Sequence, residues 1–384
     1  MSPRVIPSII GVIVSLNAAA WLASPRADLV VRPADMPVPG RGEILIRNRA
    51  LAVNPLEVKQ GTGDLMYRWL SYPMILGEDV AGVVEAVGPD VTRFSAGDRV
   101  VAYAVGMERG RRHDAEGGFQ LFTVVREDLA SPLPESIGYT DAVVLPLAVS
   151  TAATALFQDD ALALVPPTPG PAGTGTGTIL VWGGSTSVGM NAIQLAVAAG
   201  YRVIATASAR NAGFLRDLGA SDVVDYRSPD VERDILAGLS GESLAGVVAI
   251  GPGSGAPAVR IAAAAGAKRV ALLSPPVSFG SIPRRGRRSA AFIRTMSRVA
   301  IGQLAIQLRA RAAGVRAGFV WGSTLMANEV GPMLWERYLP DALADGRHVC
   351  APAAEVVGDG LESIQHALDR LHAGVSARKL VVTL

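Results

Sequence analysis

The chain has 384 residues, of which 49% are hydrophobic and 18% are charged, and it has a single cysteine, Cys350. Its length indicates about two domains, and its apolar content excludes a disordered chain, because enough apolar surface exists to offset the entropy of ordering. One cysteine cannot form an intrachain disulfide, and with four histidines it leaves too few ligands for a multi-thiolate zinc or iron–sulfur site.

The net charge of +2 hides an uneven charge distribution. No acidic residue lies between Glu242 and Glu329, whereas twelve basic residues do, so the rest of the chain has 24 basic against 34 acidic residues. Many of these basic residues fall within about 281–316, which we call the basic segment. The small net charge gives no indication of a nucleic-acid partner, and we predict none.

The N-terminal region is apolar, since residues 5–25 carry no charge. This length suits a short membrane span or a signal peptide, but Pro7, Ser8 and Asn17 interrupt the apolar run. We therefore predict an extension over 1–16, a first strand at 17–22 and a cytoplasmic protein. Export or membrane anchoring is the alternative.

Short β-rich runs separated by Gly and Pro follow, up to about residue 134. Residues 42–47, 80–87 and 98–103 alternate apolar and polar side chains to different degrees, which is typical of strands. The spacing of apolar residues over 140–157 then predicts a helix. We interpret 17–150 as a β-rich domain and the helix as its bridge to the next domain.

The spacing of apolar residues along the sequence changes after residue 177. Strands are predicted at 178–182, 202–206, 223–226 and 246–250, with helices at 190–200, 211–218 and 231–239 between them. A further strand at 268–273 and an amphipathic helix within the basic segment follow. This βαβαβ alternation predicts a doubly wound parallel sheet, and hence an α/β Rossmann domain over 151–325. Residues 326–384 return to the first domain.

A Gly-rich turn joins the first of these strands to its helix. Aligned with G-x-G-x-x-G, it supplies two glycines and places Thr186 at the middle position. Backbone N–H groups at such a helix N-terminus bind a pyrophosphate, although an α/β turn that binds nothing has the same pattern. The predicted cofactor-binding residues here are Gly184, Ser185, Thr186, Ser187, Val188 and Gly189.

The end of the second strand favours NADPH over NADH. An NAD site places Asp or Glu there for the ribose hydroxyl, whereas this sequence has Ser208 and Arg210 and no acidic residue. A guanidinium suits a 2′-phosphate, and Tyr226 is a third candidate contact. Each of these residues has an ordinary surface role as its alternative.

Several stretches resemble the medium-chain dehydrogenase/reductase superfamily over nearly the whole chain. They are VNPLEVK (53–59), PMILGEDVAG (73–82), GPDVTRFSAGDRV (88–100), GGFQ (117–120), LPLAVSTAAT (145–154) and LGASDVVDY (218–226). The resemblance implies a GroES-like catalytic domain, a Rossmann cofactor domain and a C-terminal return to the first. It also suggests that the basic segment is an insert.

The resemblance points to the zinc-free branches of this superfamily. Zinc alcohol dehydrogenases have Gly-His-Glu where this chain has Gly77-Glu78-Asp79, and they have a cysteine ligand near Asn54. Without a thiolate or imidazole shell, no Lewis acid would polarise an alkoxide, so we predict no metal. We read Glu78 and Asp79 as structural, and His113 and His348 as surface groups.

Among zinc-free members, the chain is most similar to trans-acting enoyl reductases and to quinone oxidoreductases. Lys59 and Thr151 match the lysine and threonine that the former have near the acyl thioester, and Asn54 matches an asparagine near the nicotinamide. These three are the predicted catalytic residues. A solvated lysine, a packing threonine and a turn-stabilising asparagine are the alternatives.

The leading hypothesis is therefore an NADPH-dependent reductase that transfers hydride to the β-carbon of an α,β-unsaturated thioester or enone. An NADPH:quinone oxidoreductase, a non-catalytic NADPH-binding protein and an enzyme of cyclisation or isomerisation are the alternatives. The substrate is a small molecule or a carrier-bound acyl group. We expect the basic segment to dock an acyl carrier protein, with membrane contact or a solvated insert as alternatives, and the protein to be a monomer or homodimer.

Overall fold

The computed structural model describes residues 17–57, 67–168, 173–278 and 290–384. The predicted N-terminal extension, the predicted catalytic residue Lys59 and the four arginines at 284–288 lie outside the described residues. Sixteen strands and ten α-helices are assigned within the described ranges.

The first part of the chain is rich in β-strands, as predicted. Ile44 and Ile46 of its longest strand point into the main core, whereas Leu45 joins a small cluster with Phe122 and Val124 on the other face. The strands are β1 (Asn17–Leu22), β2 (Leu29–Ala34), β3 (Glu43–Ala52), β4 (Met74–Ile75), β5 (Asp79–Val87), β6 (Arg99–Tyr103), β7 (Phe122–Arg126) and β8 (Ala130–Pro132).

These strands form two sheets, one of which also takes in the end of the chain. The seven-stranded sheet has the order β15-β16-β3-β5-β6-β8, with β7 also paired to β3. Its strands β15 (Ala354–Asp359) and β16 (Lys379–Thr383) come from the C-terminal part, and β16 pairs antiparallel with β3. The smaller sheet has the order β2-β1-β4.

A six-stranded parallel sheet lies between these two parts of the sequence. Its strand order is β11-β10-β9-β12-β13-β14. The chain adds strands on one side of β9 and then on the other, as in a doubly wound sheet. The predicted doubly wound parallel sheet of a Rossmann domain is confirmed. The strands are β9 (Thr178–Trp182), β10 (Arg202–Ala207), β11 (Asp222–Asp225), β12 (Leu244–Ala249), β13 (Arg269–Leu272) and β14 (Arg316–Phe319).

Helices connect these strands and cover the sheet. They are α1 (Tyr139–Ala142), α2 (Pro146–Phe157), α3 (Ser187–Ala198), α4 (Ala212–Asp217), α5 (Val231–Gly238), α6 (Gly255–Ala264), α7 (Ala290–Ala312), α8 (Val330–Pro332), α9 (Leu339–Ala344) and α10 (Ser363–Ala373). Helix α7 joins the parallel strands β13 and β14, a connection that always requires a crossover. This part of the basic segment is therefore integral to the Rossmann domain.

The predicted helix over 140–157 is divided into α1 and α2. Pro146 starts the second helix, where its missing N–H group costs nothing. Among the described residues, Tyr139–Phe157 is the one helical stretch long and apolar enough to cross a membrane, but 78% of its apolar 18-residue window is buried inside the protein. It is a core element. The predicted division of the chain at residue 150 falls inside α2 and stays a prediction, as does the division at 325.

Candidate active site

The Gly-rich turn connects β9 to α3 at the carboxyl edge of the parallel sheet. Thr186, which occupies the middle position of the motif, is the N-cap of α3, and its hydroxyl accepts from the Gly189 N–H group at 3.0 Å. The same hydroxyl donates to the Gly183 carbonyl at 2.8 Å. The departure from the glycine motif thus stabilises the turn.

The glycines of the turn are required by close packing. A Cβ at Gly189 would overlap the carbonyl oxygen of Gly183 and lie 2.8 Å from the Gly184 Cα, and Gly183 has a φ of +88°. Gly184 donates its N–H group to Thr206 of the next strand at 2.8 Å. The turn and the first N–H groups of α3 therefore have the shape and polarity that a pyrophosphate needs.

Two of the predicted phosphate contacts lie side by side at this edge. Ala207 pairs with Asp225 in the parallel register, so that Ser208 and Tyr226 follow at the carboxyl ends of neighbouring strands. Ser208 is buried, whereas Tyr226 is 44% exposed. The guanidinium of Arg227 lies over the Tyr226 ring, 5.1 Å from its centroid, and adds a positive charge.

The third predicted contact, Arg210, lies in a groove that the sequence did not reveal. Its Nη2 donates to the Ser376 hydroxyl at 2.8 Å, and the exposed Arg378 lines the same groove. These two residues are more than 160 positions away in the sequence, so no local pattern connects them to Arg210. The groove brings two guanidinium groups and a hydroxyl together near the carboxyl end of β10.

Asn54, one of the predicted catalytic residues, is part of a buried polar network. Its side-chain nitrogen donates to Asp79 at 2.9 Å, and its side-chain oxygen accepts from Lys379. Its backbone N–H group donates to Glu57 at 2.7 Å. Because its amide is engaged within the protein, a positioning role fits Asn54 better than direct contact with a substrate, and its predicted role stays untested.

The network contains an ion pair and a perturbed carboxyl group. Lys379 lies 2.7 Å from Asp79, and both side chains are buried. Burial raises the pKa of the Glu57 carboxyl to about 8, and the charge of Asp79 adds to the rise, against hydrogen bonds from Asn54 that lower it. Asp79 also accepts from the Leu147 N–H group at 2.6 Å, so it binds the first turn of α2. This contact agrees with the structural role predicted for Asp79.

Thr151 is half-buried on α2 and faces the end of the parallel sheet. A Cβ at Gly322 would overlap the Thr151 hydroxyl, so the two residues are in contact. One turn further along α2, Thr154 donates to the Gly322 carbonyl at 3.0 Å. Thr151 therefore lies beside the segment that follows β14, over the half of the sheet that receives the nicotinamide end of a dinucleotide.

Comparison with known proteins identifies the family. Residues 40–135 match the model of the alcohol dehydrogenase GroES-like domain. The dehydrogenase pigH from Monascus ruber is 42% identical over 96% of this chain and 99% of its own length. The chain belongs to the medium-chain dehydrogenase/reductase superfamily. The trans-enoyl reductase himH from Aspergillus japonicus is 36% identical over 96% of this chain and 98% of its own.

A solved member of this fold has been studied with a nicotinamide cofactor. A mycobacterial protein complexed with NADPH has a TM-score of 0.65 and 23% identity, covering 96% of this chain and 100% of its own. This likeness concerns the fold. As a member of the medium-chain dehydrogenase/reductase superfamily with dehydrogenase and enoyl reductase relatives, the chain is an oxidoreductase.

Zinc members of the superfamily need thiolate and imidazole ligands. Across the parts of the chain that the structure describes, no group of three or more His, Cys, Asp or Glu side chains lies close enough together to hold a metal ion. At the position of the family histidine, the Glu78 backbone N–H group donates to Glu57 at 3.0 Å. The side chain at this position is a carboxylate in place of the family's imidazole.

The sequence prediction for His348 was wrong, because this side chain is buried rather than on the surface. One ring nitrogen contacts the Asn191 side-chain oxygen at 2.9 Å and the other the Tyr338 hydroxyl at 3.3 Å. Burial lowers the pKa of His348 to about 3, so the ring is neutral. It links α3 to the C-terminal region of this superfamily member. His113 is half-buried and contacts the Gly106 carbonyl.

Proposed function

We propose that the chain is a zinc-independent, NADPH-dependent reductase that transfers hydride to the β-carbon of an activated alkene. The substrate class is an α,β-unsaturated thioester or enone. The observation that carries the cofactor assignment is the groove shared by Arg210, Ser376 and Arg378. The relationship to a trans-enoyl reductase supports the reaction type.

The groove favours a phosphate on the adenosine ribose for electrostatic reasons. Both arginines are exposed and line one groove, so their positive charges would attract an anion to it. A ribose hydroxyl carries no charge, whereas a 2′-phosphate can accept charge-assisted hydrogen bonds from guanidinium groups. The absence of an acidic residue after β10 removes the usual partner of the NAD ribose.

The cofactor assignment is tested by substituting each arginine in turn. We expect Arg210→Ala and Arg378→Ala to raise the KM for NADPH about tenfold each, with little change in the KM for NADH, because each loses a charge-assisted contact. Arg216→Ala is the matched control, since Arg216 is exposed on the neighbouring α4 and does not line the groove. An unchanged KM for NADPH in both groove variants would overturn the assignment.

Thr151 and Lys59 would act on the carbonyl group of the substrate. The Gly-rich turn and the groove of Arg210 and Arg378 would hold NADPH, whose chemistry is the supply of a hydride to the β-carbon. A proton taken up at the α-carbon would complete the reduction of the C=C bond to a single bond, with NADP⁺ as the other product. The Thr151 hydroxyl would donate to the carbonyl oxygen, where negative charge develops. By the family resemblance, Lys59 would assist it.

The reaction is tested with a panel of acceptors and NADPH. Enoyl thioesters and enones are expected to be reduced, and Thr151→Val is expected to lower kcat on the order of 10²-fold while leaving NADPH affinity unchanged. Reduction of quinones without activity on enoyl substrates would instead support a quinone oxidoreductase. NADPH binding without oxidation by any acceptor would support a non-catalytic protein.

We also propose that α7, the described part of the basic segment, docks an acyl carrier protein. Arg294, Arg298 and Arg309 are exposed on this helix, which carries no acidic residue. An exposed apolar stripe lies beside them, formed by Ile293, Ile301, Leu304 and Leu308, which are each 56–68% exposed. An acidic partner with a small apolar contact surface would complement both features.

The docking proposal is tested by charge reversal on α7. We expect the double variant Arg294→Glu/Arg298→Glu to lower kcat/KM at least tenfold for a carrier-bound enoyl thioester but less than twofold for the same acyl group on a small thiol. Arg216→Glu is the control for a general effect of charge. Equal losses on both substrates would contradict docking, and binding of the wild type to anionic vesicles would favour a membrane surface.

A further inference from the structure

Four aromatic side chains form a continuous row between the two parts of the fold. The ring centroids of Phe319 and Trp321 are 6.3 Å apart, those of Trp321 and Tyr67 5.3 Å, and those of Tyr67 and Trp69 5.4 Å. Only 5% of the residues of this chain are aromatic. A row of four is therefore a local concentration of a scarce residue type.

The row begins at the carboxyl edge of the parallel sheet. Phe319 pairs with Leu272, and Leu272 with Ala249, which is itself level with Trp182 at the end of β9. The next residue after Trp182 begins the Gly-rich turn, so Phe319 and Trp321 lie at the edge where ligands bind in this class of sheet.

The row also lies beside the predicted catalytic threonine. Gly322, which follows Trp321 directly, is in contact with the Thr151 hydroxyl. A substrate whose carbonyl oxygen accepts from Thr151 would therefore have the rest of its chain within reach of the Trp321 ring.

Both indole rings are held by hydrogen bonds to one loop. The Trp321 indole N–H group donates to Glu108 at 3.1 Å, and the Trp69 indole N–H group donates to the Met107 carbonyl at 3.0 Å. The rings are thus fixed in orientation before any ligand binds, which limits the entropy lost on binding. Preorganised aromatic faces recognise flat, polarisable groups by stacking.

The two ends of the row are accessible. Trp69 is 37% exposed and Phe319 is 52% exposed, whereas Tyr67 in the middle is buried. Successive rings are tilted by 43–65° to one another, so a flat ligand would stack on an accessible end ring and not along the whole row. Of the two accessible ends, Phe319 is the one at the carboxyl edge of the parallel sheet.

We propose that the aromatic row binds the conjugated part of the substrate, and that the enzyme prefers enoyl groups extended by further double bonds or by an aromatic ring over enoyl groups with saturated chains. This inference rests on the proposed enoyl reductase function and adds the substrate class. A flat conjugated group stacks on the accessible aromatic face at the Phe319 end of the row, whereas a saturated chain of equal length gains only apolar burial.

The test compares two thioesters of nine acyl carbons, cinnamoyl and trans-2-nonenoyl, on the same small thiol. Because the two acyl groups differ in intrinsic reactivity, the quantity compared is the ratio of kcat/KM values in each variant relative to wild type. We expect Phe319→Leu to lower kcat/KM for the cinnamoyl substrate roughly three- to tenfold and for the nonenoyl substrate less than twofold. Trp69→Leu, at the other end of the row beyond the buried Tyr67, should change either value less than twofold.

Val356→Ala is the control, because Val356 is as exposed as Phe319 and lies on β15, in the other sheet. Equal losses on both substrates, or no loss on either, would overturn the inference while leaving the reductase function intact. If neither thioester is turned over, calorimetry is used to measure the affinity of the protein for each of them. A cinnamoyl preference in binding without turnover refutes the proposed function and upholds the row, whereas equal affinities refute the row.

Discussion

The buried ion pair between Lys379 and Asp79 gives a prediction with a defined magnitude. The two groups are 2.7 Å apart, with side chains 5% and 0% exposed. Lys379→Met removes the positive charge and leaves a buried carboxylate without its counter-ion. Breaking such a pair costs about 3–5 kcal/mol. We expect Lys379→Met to lower the free energy of unfolding by about 3 kcal/mol, because Asp79 keeps hydrogen bonds from Asn54 and Leu147.

The chain itself offers a matched control. It has three lysines, Lys59, Lys268 and Lys379, and Lys268 is exposed. Lys268→Met makes the same chemical change at the surface and is expected to alter the free energy of unfolding by less than about 0.5 kcal/mol. The assay is urea-induced unfolding at pH 7, followed by circular dichroism.

A second variant separates the charge from the packing of the lysine chain. Lys379→Met/Asp79→Asn removes both charges, while the amide oxygen at position 79 can still accept from the Leu147 N–H group. If the uncompensated charge causes the loss, this double variant is more stable than Lys379→Met alone. A double variant that is equally or less stable, or a Lys379→Met protein as stable as wild type, would refute the reasoning.

Three further predictions follow from the site. Gly189→Ala should lower NADPH affinity at least tenfold, since its Cβ would overlap the Gly183 carbonyl oxygen and displace the turn; Gly213→Ala, where a Cβ meets only open space, should not. Because His348 has a pKa of about 3 in the fold, the unfolded chain binds its proton first, so the contribution of His348 to stability falls as pH drops from about 6.5 towards 3, by up to about 1.4 kcal/mol per unit; in urea titrations the stability of the wild type relative to His348→Gln should fall with this slope, because the opposite contribution of Glu57 is common to both proteins. Dialysis against a strong chelator should leave NADPH-dependent activity unchanged and metal analysis should find no stoichiometric zinc, whereas loss of activity restored by zinc would contradict the zinc-independent proposal.

Much of the fold could be predicted from hydrophobic periodicity. The predicted strands at 17–22 and 178–182 match β1 and β9. A short alternating or fully apolar run bounded by polar or Gly residues is typical of a strand. The predicted helix at 140–157 differs from the structure because Pro146 starts a new helix. Periodicity alone does not register that interruption.

The candidate site was only partly predictable, for a physical reason. The Gly-rich turn is local, so its residues could be identified from spacing, and the turn has the predicted form. Ser376 and Arg378 reach the groove of Arg210 from the C-terminal part of the chain, more than 160 residues later in the sequence. His348 was misassigned because its partners, Asn191 and Tyr338, are brought to it by tertiary packing.

Strand β16 connects the cofactor groove to the buried network. Arg378 is exposed in the groove, and the next residue, Lys379, is buried against Asp79, as expected for successive residues entering a strand. Asp79 in turn binds the first turn of α2, the helix that carries Thr151. A displacement of β16 should therefore affect both the cofactor groove and the position of Thr151. Lys379→Met is accordingly expected to raise the KM for NADPH more than that for NADH, through Arg378, at urea concentrations where the protein is still folded. Equal changes for the two cofactors would place the effect in general stability instead.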